Sequence, residues 1–260
     1  MTLAQAMELT TSASGETTWR VPDGWQQGRG MFGGLTLAVL AKAARASCGS
    51  TDRPLRTLTA ELPAAVIVGP ALVKATPLRE GNALSTVTSQ LVQGDSVAAH
   101  AVFNFGKTRD VAFERSPAQP SLPSFADAAP TVLGSVGPIF TQNFEYRVVR
   151  GAPLSSAEEP VTEGWVRLRD PGDVPAWLAL LALVDAWYPS VLPAFAAPRP
   201  FGTISFAAHL FERAWAPDEP LYHRSRCLGS QQGYFAELRE LFTSRGELCA
   251  VNQQTMAIIK

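Results

Sequence analysis

Cysteine is scarce in this chain. The three present, Cys48, Cys227 and Cys249, lie far apart and form no C-x-x-C pair. That argues against a disulfide framework or a thiolate zinc site and predicts free thiols in a reducing, cytoplasmic setting. The three histidines, His100, His209 and His223, show neither H-E-x-x-H nor H-x-x-x-H spacing, so no metal site is expected. His209, inside FAAHLF, reads as an ordinary strand histidine. Charge of one sign is also missing: 22 basic against 23 acidic residues leave a net charge of -1. A nucleic-acid partner, which needs a basic face, is not expected. No apolar run approaches the ~20 residues of a membrane span. The opening MTLAQAMELTTSASGETTWR lacks the basic start and apolar stretch of a signal peptide. There is no G-K-[ST] phosphate loop and no G-x-S-x-G nucleophile elbow.

What is present is apolar and glycine-punctuated. The chain has 260 residues, 46% of them hydrophobic, a length for one large domain or two small ones. Gly28, Gly30 and Gly33 spell G-x-G-x-x-G, with Asp52 about twenty residues on. A dinucleotide fingerprint requires an apolar strand before the first glycine and strand–helix alternation after it. Here PDGWQQ precedes it and hairpins follow, so the motif is better read as the start of a buried helix.

That helix, GGLTLAVLAKAARA, carries no charge before Lys42, as expected of a helix enclosed on nearly all sides. GETTWRVP before it reads as a strand. LRTLTAEL, ALVKATPL, ALSTVTSQLV and SVAAHAVFNF after it read as four antiparallel strands joined by turns such as REGN and QGDS. A Pro-, Ala- and Ser-rich stretch over 108–140 reads as a connector. The order then recurs. EYRVVRG and GWVRLRD are strands, and VPAWLALLALVDAWYP is a second apolar helix stopped by Pro189. TISFAAHLF, PLYHRSRCL, YFAELRELFTS and ELCAVNQQTMAII are strands, although YFAELRELFTS alone would pass for a helix. Gly81 and Gly233 are each followed thirteen residues later by a second glycine and then an acid. A period near 150 residues predicts two βαββββ repeats, spanning 1–107 and 141–260.

A long apolar helix followed by four antiparallel strands packs naturally with the sheet curled round the helix. The motifs sharpen this. GRGMFGGLTLAVLAKAA resembles the FGG helix start of the type II acyl-CoA thioesterases. LREGNALSTVTSQLVQGDSVAAHAVFNF resembles that family's LRDGxSF pattern closing on an aromatic strand. ALLALVDAWYP, GTISFAAHLFER and LCAVNQQTMAI fall where its second-half motifs fall. The resemblance implies an α+β double hotdog, two antiparallel sheets around two central helices, that hydrolyses acyl-CoA without a cofactor. It implies a water held by Asp185, Thr203 and Gln254. Ser205 remains an alternative to Thr203, because the strand holds one extra residue before Arg213. Gln253 remains an alternative to Gln254, because a one-residue slip turns the other one inward.

The residues support part of this on their own. Asp185 is the one charge between Asp173 and Arg199. Burial in that apolar helix would raise its pKa toward a general base's range, while a helix-end acid near Pro189 reaching solvent is the alternative. Setting Gly233 on Gly81 places Gln254 on Val102, and Asp185 aligns near Lys42 or Ala43. The first half then has no matching acid or amide, and one site per chain is expected. The amides of Gly33 and Gly34 open a helix and so point unsatisfied along its positive end, where a thioester oxyanion would fit; tight packing is the plainer role. Met31 and Phe32 read as core. Two other readings keep the fold: a hotdog enoyl-CoA hydratase, for which an Asp/His pair is wanted and no histidine lies near either helix, and a non-catalytic acyl-CoA-binding protein. Exposed sheet edges would suit a homodimer of double hotdogs.

Overall fold

The alternating Val-, Thr- and Leu-rich stretches fold as one antiparallel sheet of twelve strands, curled around two buried helices. The computed structural model describes residues 1–111, 113, 115, 122–133 and 137–259. Within the expected connector, 112, 114, 116–121 and 134–136 lie outside the described residues.

The first half runs α1 (Leu3–Ala6), β1 (Leu9–Thr11), β2 (Thr17–Val21), a small ladder β3 (Gln26–Gln27) and β4 (Gly30–Met31), α2 (Gly33–Ser47), β5 (Leu55–Glu61), β6 (Gly69–Glu80), β7 (Leu84–Gln93) and β8 (Ser96–Gly106). The second runs β9 (Phe144–Arg150), β10 (Val161–Leu168), α3 (Ala176–Asp185), β11 (Phe201–Leu210), β12 (Leu221–Gln231), β13 (Tyr234–Phe242) and β14 (Leu248–Ile258). The sheet order is β1-β2-β6-β7-β8-β5-β11-β14-β13-β12-β10-β9. Read outward from its centre, each half has the same order. The halves join through β5 and β11, from Ser205 opposite Glu61 to His209 opposite Thr57. The chain is therefore an α+β double hotdog, each βαββββ repeat preceded by one extra strand. The recurring glycines sit in matching hairpin turns: Gly94 and Gly246 have φ of +58° and +78°, a conformation that favours glycine.

Local chemistry explains where the elements stop. α2 is buried along most of its length, with Lys42 and Arg45 near its C-terminal end, where cations oppose the helix dipole. α3 ends at Asp185, not at Pro189 as the sequence suggested. Residues before a proline avoid the helical region, and three hydrogen bonds hold the released turn. Tyr146 donates its hydroxyl to the Ala186 carbonyl, Trp187 its indole N–H to Thr162, and Tyr188 its hydroxyl to the Gly151 carbonyl, each at 2.8 Å. YFAELRELF is the strand β13, pairing with β12 and β14. Short elements escaped sequence reading: α1, β1 and the β3–β4 ladder are too brief for any period to show. The β9 edge is not fully open, because Thr131 of the connector bridges Tyr146.

The core runs continuously through both halves. Phe32 stacks on Phe140 at 4.1 Å and is fully buried, as core packing required. Gly34 faces the Ala182 carbonyl near the end of α3, while Arg45 near the end of α2 lies over Trp177 at the start of α3. The two helices therefore run antiparallel, and the start of α2 meets the end of α3.

Candidate active site

Asp185 closes α3 and is 8% exposed. The five aliphatic side chains Leu178, Leu180, Leu181, Leu183 and Val184 on the same helix are buried too. Each contributes roughly 1.5–3 kcal/mol, enough to hold down one carboxylate whose burial is unfavourable. Its environment is mixed. It sits at the negative end of α3 but at the positive end of α2. A Cβ built on Gly33 would lie 2.7 Å from Asp185 Oδ2. The Gly34 amide lies near enough to favour the ionised carboxylate, and Arg239 Nη1 approaches Oδ1 at 3.5 Å. Burial dominates and raises its pKa to about 6, against the downward pull of Arg239 and Gly34 and with help from nearby Glu237. The reading of a helix-end acid reaching solvent is thereby excluded.

Thr203 and Gln254 meet on adjacent strands. Thr203 donates its hydroxyl to Gln254 Oε1 at 3.3 Å, and Gln254 Nε2 donates to Glu237 Oε1 at 2.8 Å. The carboxylate can only accept, so it orients the amide with its oxygen toward Thr203. The alternatives separate cleanly. A β-bulge falls between Thr203 and Ser205, so Thr203 pairs with Met256 but Ser205 with Thr255. The suspected extra residue is that bulge, and it reverses the parity of the strand. Thr203 and Ser205 are thus not on the same face, contrary to a simple count by two. On β14, Gln254 is buried while Gln253 is exposed.

Two buried charged residues beside these groups went unseen in the sequence. Glu237 and Arg239, both on β13, are 0% and 1% exposed. Arg239 Nε donates to Glu237 Oε1 at 2.6 Å, and Ser190 caps the other carboxylate oxygen through both its amide and its hydroxyl at 2.7 Å. The signal was present: Phe235 and Leu241 bracket them at intervals of two, so once β13 is a strand both charges must face the core. Arg239 links the groups, bonding Glu237 on one side and Asp185 on the other. One cation thus faces two carboxylates.

His223 corrects another expectation. It is fully buried, with its ring stacked on Trp187 at 5.0 Å, two residues beyond Asp185. A histidine does lie near a helix end, brought there by β12 from far along the chain. Neither ring nitrogen has a hydrogen-bond partner among the described residues, and burial drives its pKa well below the usual range. It is therefore a neutral ring without the hydrogen bond that would make an Asp/His pair. His209 is exposed on β11.

The helix start behaves as its glycines suggested, with a difference. Phe32 offers no side-chain cap, and Thr36 is the first amide to reach an intrahelical acceptor, the Phe32 carbonyl at 3.2 Å. The helix start faces the Asp185 carboxylate and not an empty space. Both glycines also allow close packing, because a Cβ on Gly34 would fall 2.5 Å from the Phe32 ring and 3.0 Å from the Ala182 carbonyl. The two alanine variants should therefore differ. Gly34→Ala is expected to lower stability by about 1–3 kcal/mol through overpacking. Gly33→Ala, meeting mainly the carboxylate, should leave the melting temperature within a few degrees and reduce kcat at least tenfold. Thermal melts and initial rates on the two proteins test this.

The first half carries no copy of the constellation. Strand pairing sets Leu55 in the place of Thr203, at a matching bulge, and Phe103 in the place of Gln254. Counting from the turn glycines had given Val102. The β13–β14 turn differs in shape from the β7–β8 turn and shifts the count by one. Lys42 and Asp185 are each the tenth residue of their helix.

Comparison with known proteins now adds to the geometry. Residues 21–106 match the acyl-CoA thioesterase N-terminal domain and residues 114–258 the acyl-CoA thioesterase C-terminal domain. Among solved structures, a conserved hot dog fold protein of unknown function from Alicyclobacillus acidocaldarius is 24% identical, with a TM-score of 0.88, and 99% of this chain and 98% of that one align. The acyl-CoA thioesterase II TesB2 of Mycobacterium marinum is 17% identical, with a TM-score of 0.78 over 99% and 98%. The tesB protein of Mycobacterium avium subsp. paratuberculosis is 15% identical, with a TM-score of 0.80 over 99% and 98%. At these identities the likeness is one of fold. No curated protein sequence matches significantly.

Proposed function

The chain belongs to the acyl-CoA thioesterase family, and from that premise we propose that it hydrolyses an acyl-CoA to a free fatty acid and CoA by direct attack of a water activated by Asp185. The observation that carries the mechanism is the buried carboxylate of Asp185, pressed against the first amides of α2 and sharing Arg239 with the Glu237 that holds Gln254.

Each group has a role consistent with its bonds. Asp185, with a pKa near about 6, is ionised at neutral pH yet basic enough to take a proton from water. Gln254 Oε1 has a second lone pair for one water hydrogen, and the Thr203 hydroxyl donating to it fixes its direction. The Gly33 and Gly34 amides are the donors for the thioester oxygen as it becomes an oxyanion. Water oxygen bonds to the carbonyl carbon, and its proton passes to Asp185. The tetrahedral intermediate collapses, the carbon–sulfur bond breaks, and the thiolate, more basic than the carboxylate, takes the proton. No metal or cofactor enters. Glu237 and Arg239 are positioning residues here. Ser205 and Gln253, turned away by the bulge and the pleat, take no part.

The pH profile tests this directly. With a thiol-reactive dye and acyl-CoA esters of graded chain length, kcat is expected to rise about tenfold per pH unit below 6 and level off above it. A flat profile between pH 5 and 7 would remove Asp185 as the base. Binding without turnover at every chain length would favour a non-catalytic acyl-CoA-binding protein. The reading places the protein in the cytoplasm, where Cys48, Cys227 and Cys249, all unpaired, stay reduced; among the described residues no helix is long and apolar enough to cross a membrane. A homodimer of double hotdogs belongs to the same proposal.

A further inference from the structure

The pseudo-symmetry that duplicates the helices and strands also duplicates the place where the catalytic groups sit. At the opposite ends of the helices, about 18 Å along α2 from Gly33, the end of α2 meets the start of α3 and the start of β5. A cleft of about 850 Å³ opens there. It is the counterpart of the Asp185 region, built with different side chains. Lys42 stands where Asp185 does, and Leu55 where Thr203 does.

The cleft is apolar with cations at one side. Leu178, Phe211 and Trp215 are among its walls, while Lys42, Arg45 and Arg53 also line it. These three cations are held mainly by neutral acceptors. Lys42 donates to the Met7 carbonyl at 3.0 Å. Arg45 donates to the Ser50 and Arg53 carbonyls, its guanidinium 4.1 Å above the Phe105 ring. Arg53 is 5% exposed and donates to the Ser85 hydroxyl at 2.5 Å and the Asn82 carbonyl at 3.3 Å, while its Nε has no hydrogen-bond partner among the described residues. Among the described residues its one carboxylate neighbour within 4.0 Å is Asp52, which is bound by Lys107 at 3.2 Å. Of the other acids at the cleft, Glu212 pairs with Arg56 and Asp173 is exposed. A buried guanidinium without a full counter-charge is unfavourable unless an anion completes it.

We propose that this cleft is a second ligand site, which takes a fatty-acid anion with its carboxylate on Lys42, Arg45 and Arg53 and its chain along Leu178, Phe211 and Trp215. Planar guanidiniums match a carboxylate, and a volume within the 300–1,000 Å³ range of ligand pockets suits such a molecule. The mostly apolar walls favour an amphiphile over a bare inorganic anion. The choice of a fatty acid rests on the acyl-CoA reading of the other end; the site itself does not.

Titration calorimetry of the whole chain with dodecanoate tests this. A saturable site is expected that Lys42→Met and Arg53→Met each weaken at least tenfold, with initial rates of acyl-CoA hydrolysis unchanged. Lys42 is half-buried and methionine keeps its aliphatic stem, so that variant should fold even if Arg53→Met does not. Binding unaltered by Lys42→Met would overturn the proposal. So would dodecanol binding as tightly as dodecanoate, or inorganic phosphate displacing dodecanoate at equal concentration. Because binding is read without turnover, a chain that proves inactive on acyl-CoA can still show this site, and an active one can lack it.

Discussion

Asp185→Asn should abolish hydrolysis and yet make the protein more stable above pH 6. Loss of a general base costs on the order of 10²- to 10⁴-fold in kcat. The stability change follows from the pKa. Unfolded, the carboxyl ionises near its ordinary 3.8; folded, near about 6. Between those values the native state holds more protons than the unfolded state, so stability falls as pH rises through the window. Asparagine has no such titration, and Glu237 still balances Arg239 in the variant. The gain should be absent below about pH 4, grow from pH 4 to 6 and then stay constant, on the order of 3 kcal/mol. Urea unfolding at pH 4, 5, 6 and 8, with parent and variant side by side, measures it. A variant that loses stability at pH 8 would show that the carboxylate is held by favourable contacts exceeding its burial cost.

Removing the cation should act in the opposite direction. Arg239→Met leaves Glu237 and Asp185 facing each other inside the protein, with Gln254 and Ser190 the remaining donors on Glu237. Breaking a buried pair in this way costs about 3–5 kcal/mol, and the loss should shrink toward pH 5 as Asp185 takes up a proton. Arg239 lowers the pKa of Asp185, so the rising limb of the kcat profile should move to higher pH in any variant that folds. Arg239→Lys keeps the charge but not the fork that reaches both carboxylates. It should recover stability and a near-parental pH midpoint while kcat stays reduced. A merely structural role for Arg239 predicts lower stability with the midpoint unmoved.

Much of the architecture was legible because it rests on short-range patterns. The unbroken apolar run of α2 required enclosure, and β-rich segments with glycine turns required hairpins. The thirteen-residue glycine interval announced the repeat. Asp185 stood out as a lone charge in an apolar helix. β13 was harder. YFAELRELF contains the residues of a good helix, and only pairing with β12 and β14 makes it a strand. That assignment is what turns Glu237 and Arg239 inward, and so they could not be picked as site residues before it.

Letters alone determined which residue types exist to do chemistry, and that only one half of the duplicated chain has an acid in its central helix. They also marked Pro189 as the stop of this helix, beyond its actual end at Asp185. Tertiary structure decided the rest. The bulge after Thr203 put the two hydroxyls on different faces, the pleat of β14 turned one glutamine inward and the other outward, and the packing of the two halves brought the start of α2 to the end of α3. Each is a matter of parity or register, in which one residue reverses a face, and the balance is set by partners distant in sequence.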